Sequence, residues 1–450
     1  MKPTLPKGTR DFSPLEMSRR NYIFDTIRAV FRTYGYQPIE TPAMENLSTL
    51  TGKYGDEGDK LIFKVLNSGD FKKDVDFSLE APKLTSFISE KALRYDLTVP
   101  FARYVVMNRN DITFPFKRYQ VQPVWRADRP QKGRYREFYQ FDADVVGSPS
   151  LVYEAEFFQI FAKVFEQLGA KVTIKYNNRK VLNGITEAIG AADKFVEVVT
   201  IIDKYDKITP EVFINELNNL GLSSESIDKL NQIIFSKVAA TDKERLEVIK
   251  SAISVSPIGV KGIEELQTVL GFLEAANFDS SVIEFDPSLA RGLSYYTGAI
   301  FEVKAHGVQI GSICGGGRYD DLTGLFGLPN VSGVGISFGV DRIYDVLNEL
   351  NLFPETMADA AKVLVTNFGV EEEKFSFNLV TRLRAAGINA DMYPTQAKLG
   401  KQFEYADKKK IPFVAVVGAD EMANNVVNLK DMVSGEQAKY SVEELIGRLA

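Results

Sequence analysis

An α+β architecture in several domains is what this 450-residue sequence predicts. Three observations point there: a long hairpin pattern from Phe114 to Gly147, a Lys/Glu/Ile/Leu-rich helical stretch over residues 177–277, and strand patterns alternating with helical ones after Pro354. At about 150 residues per domain, the length accommodates roughly three domains.

Taken in order, residues 15–34 place Leu15, Ile23, Ile27, Val30 and Phe31 at helical spacing, and Gly35 sits where a helix should stop. The prolines of Gly35-Tyr36-Gln37-Pro38-Ile39-Glu40-Thr41-Pro42 then force an extended course. Phe114 to Gly147 reads as two strands around a polar loop at Asp128 to Gly133, with Pro123 implying a sheet edge or a bulge. Helical periodicity returns from Leu151 to Leu168, and Lys171 to Tyr176 reads as a strand. The stretch 177–277, broken at Pro210, Gly221 and Pro257, looks like an inserted helical module. Strand and glycine signals resume from Val282 to Gly339, with a helix opening at Val340-Asp341-Arg342. A boundary falls near Pro354 to Ala360. Beyond it come strand-like Val363 to Asn367, a helix to Ala386, strand-like Ile388 to Tyr393, a helix around Phe403 to Lys410, and the apolar run Ile411 to Val417. That alternation implies a small α/β domain with parallel pairing.

Composition removes many functions. Hydrophobic residues at 45% and charged residues at 25% are ordinary for globular proteins and exclude disorder, collagen and coiled coil as the main theme. No apolar run approaches the ~18 residues of a spanning helix, and Met1-Lys2-Pro3-Thr4 lacks the apolar core of a secretion signal, so the expected compartment is the cytoplasm. The single cysteine, Cys314, can neither close an intramolecular disulfide nor build a four-cysteine zinc site. With His306 as the single histidine, paired-histidine metal sites are excluded and a Ser-His-Asp triad would rest on that residue alone. The chemistry therefore falls to Arg, Asp, Glu, Gln and Tyr.

The net charge of −6 argues against nonspecific coating of nucleic acid, yet Lys117 to Arg136 carries seven basic residues against one acid, Asp128. At period two, Arg136, Phe138, Gln140, Asp142 and Asp144 share one face and Tyr139, Phe141, Ala143 and Val145 the other. Arg118, Gln120, Gln122 and Arg126 share a parity on the preceding strand. Surface ion pairing is the plain reading of such a face. Glutamines and both charge signs beside a basic loop favour a site for a zwitterion and a phosphate. Two further constellations are Arg291-Gly292-Leu293-Ser294-Tyr295-Tyr296-Thr297-Gly298 and Gly315-Gly316-Gly317-Arg318-Tyr319-Asp320-Asp321. Alone, the first is an ordinary glycine-bounded strand and the second a flexible loop. Arg342 in the first turn of a helix opposes the macrodipole by about 0.3–1 kcal/mol; a bound anion would explain it, and Asp341 could also neutralise it. No G-x-x-x-x-G-K-[ST] loop and no G-x-G-x-x-G opening a βαβ unit occurs, so any nucleotide is held by arginines on a sheet. His306 is expected at the surface or hydrogen-bonded, and Cys314 as a small, semi-buried packing residue.

Together these blocks resemble class II aminoacyl-tRNA synthetases, and among them the histidyl-tRNA synthetase family, over essentially the whole chain. Leu5 to Asp11 is similar to the family's N-terminal signature and Gly35 to Pro42 to motif 1, the dimer-forming element. Motif 2 is matched from Trp125-Arg126 to Gln140, and motif 3 from Gly333-Val334-Gly335 to Arg342. Arg291 to Gly298 with Gly316 to Asp320 is the histidine-specific signature, with Ser294 where the family usually has Asp. Val417 to Asp431 resembles the anticodon-binding domain. The resemblance implies a mixed, mostly antiparallel sheet flanked by helices. It divides the chain into a catalytic core at 1–176 and 278–354, a helical insertion at 177–277 and an anticodon-binding domain at 359–450. It further implies a homodimer that joins L-histidine to ATP, releases pyrophosphate and passes histidine to the 3′ end of histidine tRNA, with Mg²⁺ accompanying ATP and no membrane partner.

By position, Asp96, Leu97 and Thr98 should line the amino-group end, and Gln140, Asp144, Tyr295 and Tyr296 should surround the amino group and imidazole. Arg126 and Arg291 should act on the α-phosphate and carboxylate as the catalytic arginines of the histidine site. Phe138 and Arg342 should sandwich adenine, Arg134 or Arg136 should lie near the outer phosphates, and Arg129 and Gln131 should touch the tRNA acceptor end. Two rivals stand beside this reading. One is the catalytically silent regulatory subunit of ATP phosphoribosyltransferase, built on the same catalytic fold, against which the α/β pattern after Pro354 counts. The other is a synthetase for threonine, proline or glycine, against which Arg291 to Gly298 counts. On the terminal domain, Lys398, Lys401, Lys408, Lys409 and Lys410 offer phosphate contacts, or merely solubilise beside Glu404 and Asp407.

Overall fold

The structure is a computed structural model that describes residues 2–73, 75–131, 133–205, 208–235, 241–290, 296–354 and 361–450. Two compact units divide the chain, one of Met1–Phe12 with Arg20–Phe353 and one of Ser13–Arg19 with Pro354–Ala450.

In chain order the strands of the first unit are β1 (Gln37–Pro38), β2 (Met44–Asn46), β3 (Lys64–Val65), β4 (Lys91–Leu93), β5 (Phe116–Trp125), β6 (Glu137–Val146), β7 (Val172–Asn178), β8 (Ile283–Phe285), β9 (Ala299–Ala305), β10 (Cys314–Tyr319) and β11 (Gly333–Gly339). Eight of them form one sheet in the order β1-β5-β6-β11-β10-β9-β7-β8, and β2-β4-β3 form a small second sheet. Only the two edge pairs of the large sheet, β1 with β5 and β7 with β8, run parallel. The sheet is therefore mixed and mostly antiparallel, as expected.

Local chemistry explains the elements. Helix Pro14–Thr33 opens on a proline, carries Glu16 in its first turn and Arg32 in its last, and stops before Gly35 at φ +77. Its Ile23, Ile27, Val30 and Phe31 are buried, whereas Leu15, which the spacing puts on the same helix, is exposed. Phe141, Ala143 and Val145 of β6 lie on the core face opposite Phe338, Ile336 and Val334 of β11. Helix Val152–Gln167 covers that face, with Phe158 edge-on to Phe301 at 5.2 Å and Phe161 on Phe338 at 5.2 Å. Each such buried ring contributes roughly 1.5–3 kcal/mol relative to exposure. Between β7 and β8 the described residues form six α-helices, from Arg179–Ala188 to Pro257–Ala275, whose apolar residues join the same core cluster as the sheet.

The opposite face of the large sheet is polar but roofed. Helix Thr98–Met107 and the small sheet bury Phe101, Val99, Tyr54 and Tyr95 in a second cluster beside it. The plain reading of a solvated ion-paired face is thus corrected: Arg118 and Gln120 are fully buried and Asp142 and Asp144 nearly so. Pro123 sits within an unbroken β5–β6 register, on the part of β5 that β1 does not reach, so it marks an edge and not a bulge. The three glycines at 315–317 are corrected as well, from flexible loop to the middle of strand β10.

In the second unit, β12 (Val363–Val365), β13 (Ala390–Met392), β14 (Phe413–Val416), β15 (Val427–Asp431) and β16 (Gln437–Tyr440) form a sheet in the order β13-β12-β14-β15-β16. β12 pairs parallel with β13 and β14, and β15 and β16 add antiparallel strands. Helices Val370–Ala385 and Val442–Leu449 close one apolar cluster through Leu379, Leu383 and Leu445.

Candidate functional site

A cavity of about 360 Å³ opens on the polar face, within the range of small-molecule sites. Its walls bring together Tyr95, Asp96, Thr98, Arg126, Arg134, Phe138, Gln140, Tyr296 and Arg342, residues drawn from distant stretches of the chain, and a smaller annex of about 20 Å³ reaches Asp142, Asp144 and Tyr319. Glycines make this depth possible. A β-carbon on Gly335 would stand 2.0 Å from Asp144 Oδ1, and one on Gly317 would stand 2.7 Å from the Ala299 carbonyl and 2.9 Å from the Tyr296 ring.

The lining of the cavity and its annex is rich in acceptors. Asp96 takes hydrogen bonds at Oδ1 from the Tyr54 hydroxyl (2.9 Å) and the Val99 backbone N–H (3.1 Å), while its Oδ2 is buried with no partner among the described residues. Gln140 Nε2 donates to Ser337 Oγ at 2.8 Å, leaving Oε1 buried without a partner among the described residues, and Asp142 Oδ1 is in the same condition. Each unmet group of this kind costs about 1–3 kcal/mol until a donor arrives. Asp144 is held differently, with Arg118 at 2.7 Å on Oδ2 and the Tyr319 hydroxyl at 2.5 Å on Oδ1. Burial pushes the carboxyls of Asp96 and Asp144 up, and pushes Asp142 up to about 7, against the opposing pull of Arg118 in each case.

Arginines stand in the same lining. Arg126 Nε donates to the Tyr95 carbonyl at 3.0 Å, and its guanidinium lies 4.3 Å from the Tyr95 ring centre and 5.2 Å from that of Phe138. Arg342 donates to the carbonyls of Gly133 (2.9 Å) and Ser312 (2.6 Å). Its neighbour Asp341 does not neutralise it: that carboxylate accepts from Arg10, from Arg20 at 2.5 Å and from the Tyr139 N–H at 3.1 Å. Arg134, half-exposed, pairs with Asp128 at 3.0 Å. The N-terminal segment braces this loop, since Gly8 (φ +89) accepts from the Arg136 N–H at 2.9 Å and Arg10 lies 3.6 Å from the Tyr135 ring centre.

Some expected residues fall elsewhere. Arg136 does not line the cavity, its Nε donating to the Asp128 carbonyl at 3.0 Å. Leu97 is fully buried beneath it and offers its carbonyl to Arg118 at 3.4 Å. Arg129 and Gln131 are exposed at the hairpin loop, where Gln131 bridges to Arg134. Arg291, Ser294 and Tyr295 lie outside the described residues. Cys314 is buried rather than semi-buried, and desolvation pushes its thiol well up. His306 is exposed, with Nε2 at 2.7 Å from Thr173 Oγ1. Sequence reasoning missed Asp142, Ser337, Tyr95 and Asp128 as parts of the site. The parity of Asp142 with Gln140 and Asp144 was the available signal, and the others carried none.

Comparison with known proteins follows the same lines. The family model described as Histidyl-tRNA synthetase matches residues 88–343, and that described as Anticodon binding domain matches 362–450. The chain is 57% identical to the histidine–tRNA ligase of Phocaeicola vulgatus over 449 residues, covering 99% of this chain and 98% of that protein. It is 58% identical to that of Bacteroides fragilis strain YCH46 over 452 residues, covering 100% and 99%. Among solved structures, the histidyl-tRNA synthetase of Nostoc sp. PCC 7120 superposes with a TM-score of 0.85 at 33% identity, covering 100% of this chain and 99% of that one. A Bacillus halodurans structure named as an ATP phosphoribosyltransferase regulatory subunit/histidyl-tRNA synthetase, at 19% identity and TM-score 0.70 over 90% of this chain and 97% of that one, shares the fold alone. The cavity lined by acceptors and arginines, both family models and full-length identity above one half all agree: the chain belongs to the histidyl-tRNA synthetase family.

Proposed function

We propose that the protein is a histidine–tRNA ligase, which activates L-histidine with ATP and passes it to histidine tRNA. The observation that carries this reading is the mixed polarity of the cavity and its annex: buried acceptor atoms without a hydrogen-bond partner among the described residues (Asp96 Oδ2, Gln140 Oε1, Asp142 Oδ1), and beside them Arg126, Arg134 and Arg342. An ammonium group and an imidazole N–H supply donors for the first. A carboxylate and the phosphates of ATP supply anions for the second. Leaving buried acceptors unpaired is what rejects amino acids without those donors.

In the reaction, a carboxylate oxygen of histidine bonds to the α-phosphorus and the bond to pyrophosphate breaks; the ribose hydroxyl at the tRNA 3′ end then displaces AMP. No side-chain nucleophile is needed, in keeping with a chain holding one histidine and one cysteine. Arg126 grips the α-phosphate and carboxylate with its position already set by the Tyr95 carbonyl, and Arg291, by family resemblance, faces the same phosphorus. Asp96, Thr98, Gln140, Asp144, Tyr295 and Tyr296 receive histidine, Phe138 and Arg342 take adenine, and Arg134 meets the outer phosphates. Arg136 acts one step back, as a brace of the loop. Mg²⁺ arrives with ATP, because it is usually held by substrate phosphates, waters and one or two carboxylates; among the described residues no group of three acidic, histidine or cysteine side chains is preassembled to hold a metal.

The tRNA acceptor end meets exposed Arg129 and Gln131, and residues 359–450 read the anticodon, a division supported by the family match at 362–450. We assign residues 1–176 and 278–354 to the catalytic core and 177–277 to an insertion. The working form is a cytoplasmic homodimer: β1 forms a short edge of the large sheet within the motif 1 segment, and an open edge invites pairing. Among the described residues no helix is long and apolar enough to cross a membrane. ATP–pyrophosphate exchange with each of the twenty amino acids, without tRNA, tests the reading. Exchange with histidine alone is the expected result, and no exchange with any amino acid would favour the regulatory paralogue.

A further inference from the structure

Residues 8–10 touch the hairpin loop on both of its flanks. The Gly8 carbonyl accepts from the Arg136 N–H at 2.9 Å, and a β-carbon on Gly8 would stand 2.9 Å from Pro130 Cγ and from Arg136 Cγ. Two residues on, the Arg10 guanidinium lies 3.6 Å from the Tyr135 ring centre and pairs with Asp341 in the first turn of helix Val340–Glu349. The Tyr135 hydroxyl reaches the same helix at Asp345, 3.4 Å away.

From this segment two chains of contacts lead to arginines of the cavity wall. In the first, Gly8 holds the backbone of Arg136, whose Nε donates to the Asp128 carbonyl at 3.0 Å, and the Asp128 carboxylate pairs with Arg134 at 3.0 Å. In the second, Arg10 grips Asp341, the residue before Arg342, and that carboxylate also receives the Tyr139 N–H of β6 at 3.1 Å. Arg342 itself reaches back to the loop at the Gly133 carbonyl. Loop and helix are thus joined twice, by Arg342 and by Arg10. Arg10 is not needed to neutralise Asp341, because Arg20, 2% exposed, already pairs with the same oxygen at 2.5 Å. What the second arginine adds is the flat face it lays on Tyr135.

We propose that Arg10 is a positioning residue for the nucleotide half of the site: by joining Tyr135 of the hairpin loop to Asp341 of the helix, it holds Arg134 and Arg342 at the spacing that receives ATP. This deepens the ligase reading and rests on it. The residues that receive histidine are held by other contacts, Asp96 by Tyr54 and Val99, and Gln140 by Ser337. Loss of Arg10 is therefore felt by ATP and not by histidine.

The test is histidine-dependent ATP–pyrophosphate exchange on the full chain and its Arg10→Ala, Arg10→Lys, Tyr135→Leu and Arg10→Ala/Tyr135→Leu variants, with folding checked by circular dichroism. Arg10→Ala should raise KM for ATP about tenfold, the worth of one net hydrogen bond. KM for histidine and kcat should change by less than about threefold, the pattern of a contact made equally in ground and transition states. Arg10→Lys, which keeps the ion pair and loses the flat face, is the milder variant and should show the same split to a smaller extent. Because Arg10 and Tyr135 act as one tie, the double variant should be no worse than the more impaired single variant. An unchanged KM for ATP in Arg10→Ala, an equal rise in both KM values, or multiplied effects in the double variant overturns the proposal, while wild-type histidine exchange keeps the ligase reading intact. Wild-type protein that does not exchange histidine overturns both.

Discussion

Arg126 meets the cavity with its position already fixed by one backbone carbonyl and two aromatic rings. A cation held in place before the ligand arrives need not be reorganised as charge develops, which is where such groups contribute most. Arg126→Ala should lower kcat for histidine-dependent exchange by about 10²–10³-fold, with thermal unfolding followed by circular dichroism unchanged; a loss under about threefold would move the charge stabilisation to another group. Asp142 gives a second prediction, on stability. Burial raises its carboxyl from 3.8 unfolded to about 7 folded, so the folded state binds the extra proton between those values. Its contribution to stability is fully present below pH 3.8 and is lost as pH rises through about 7, to the extent of about 4 kcal/mol. Asp142→Asn should exceed wild type in denaturant unfolding by a margin that widens from pH 5 to pH 8. Equal stabilities at pH 8 would mean that the carboxylate is solvated in the folded protein. The sequence placed Asp142 on the correct face, but neither its burial nor its partner was visible there, because both come from segments distant in the chain.

At the scale of elements, strand β10 is where reading and structure part most. Cys314-Gly315-Gly316-Gly317 has the composition of a loop, and glycine in a strand is ordinarily a weakness. Here its neighbours on both sides approach too closely for a side chain: a β-carbon on Gly316 would stand 2.3 Å from the Gly335 carbonyl and 2.8 Å from Ile336 Cα. Gly316→Ala should therefore destabilise by at least about 1–3 kcal/mol, the usual cost of overpacking, visible as a lower denaturant midpoint with reduced exchange activity. A wild-type midpoint would show that β10 and β11 can move apart without loss. The same strand carries Arg318, whose guanidinium makes two bonds to buried Glu154 at 2.5 and 2.7 Å, tying helix Val152–Gln167 to the histidine-signature segment. Periodicity had found that helix and both hairpin strands to within three residues, since an apolar stripe is a local property.

Over the whole molecule, each compact unit has its own apolar clusters, and the basic residues are divided between them. In the terminal unit, Lys408 pairs with Glu404 at 2.6 Å and Lys410 with Asp407 at 3.5 Å, both exposed, while Lys398 and Lys401 are exposed on the same helical turn and Lys409 lies over the Tyr405 ring. Exposed pairs of this kind contribute little to stability, so the lysines remain available to phosphates. Replacing Lys398, Lys401 and Lys409 together by glutamate should lower kcat/KM for tRNA charging by about tenfold or more and flatten its salt dependence, with amino-acid activation unchanged. Equal charging across a salt series would move tRNA contact to another surface.

Residue inventory and spacing were enough to exclude an intramolecular disulfide, four-cysteine zinc sites and paired-histidine metal sites, to mark the arginine-rich hairpin, and to set which side chains of β5 and β6 share a face, because counts and period-two alternation are properties of the chain itself. Folding decided what that polar face would become. Roofed by helix Thr98–Met107 and the small sheet, it lost its water, and its charges had to find partners far away in sequence: Tyr319 for Asp144 across 175 positions, Arg20 for Asp341 across 321. Desolvation, the three acceptors left without donors and the raised Asp142 carboxyl all follow from those distant contacts, which no local pattern encodes.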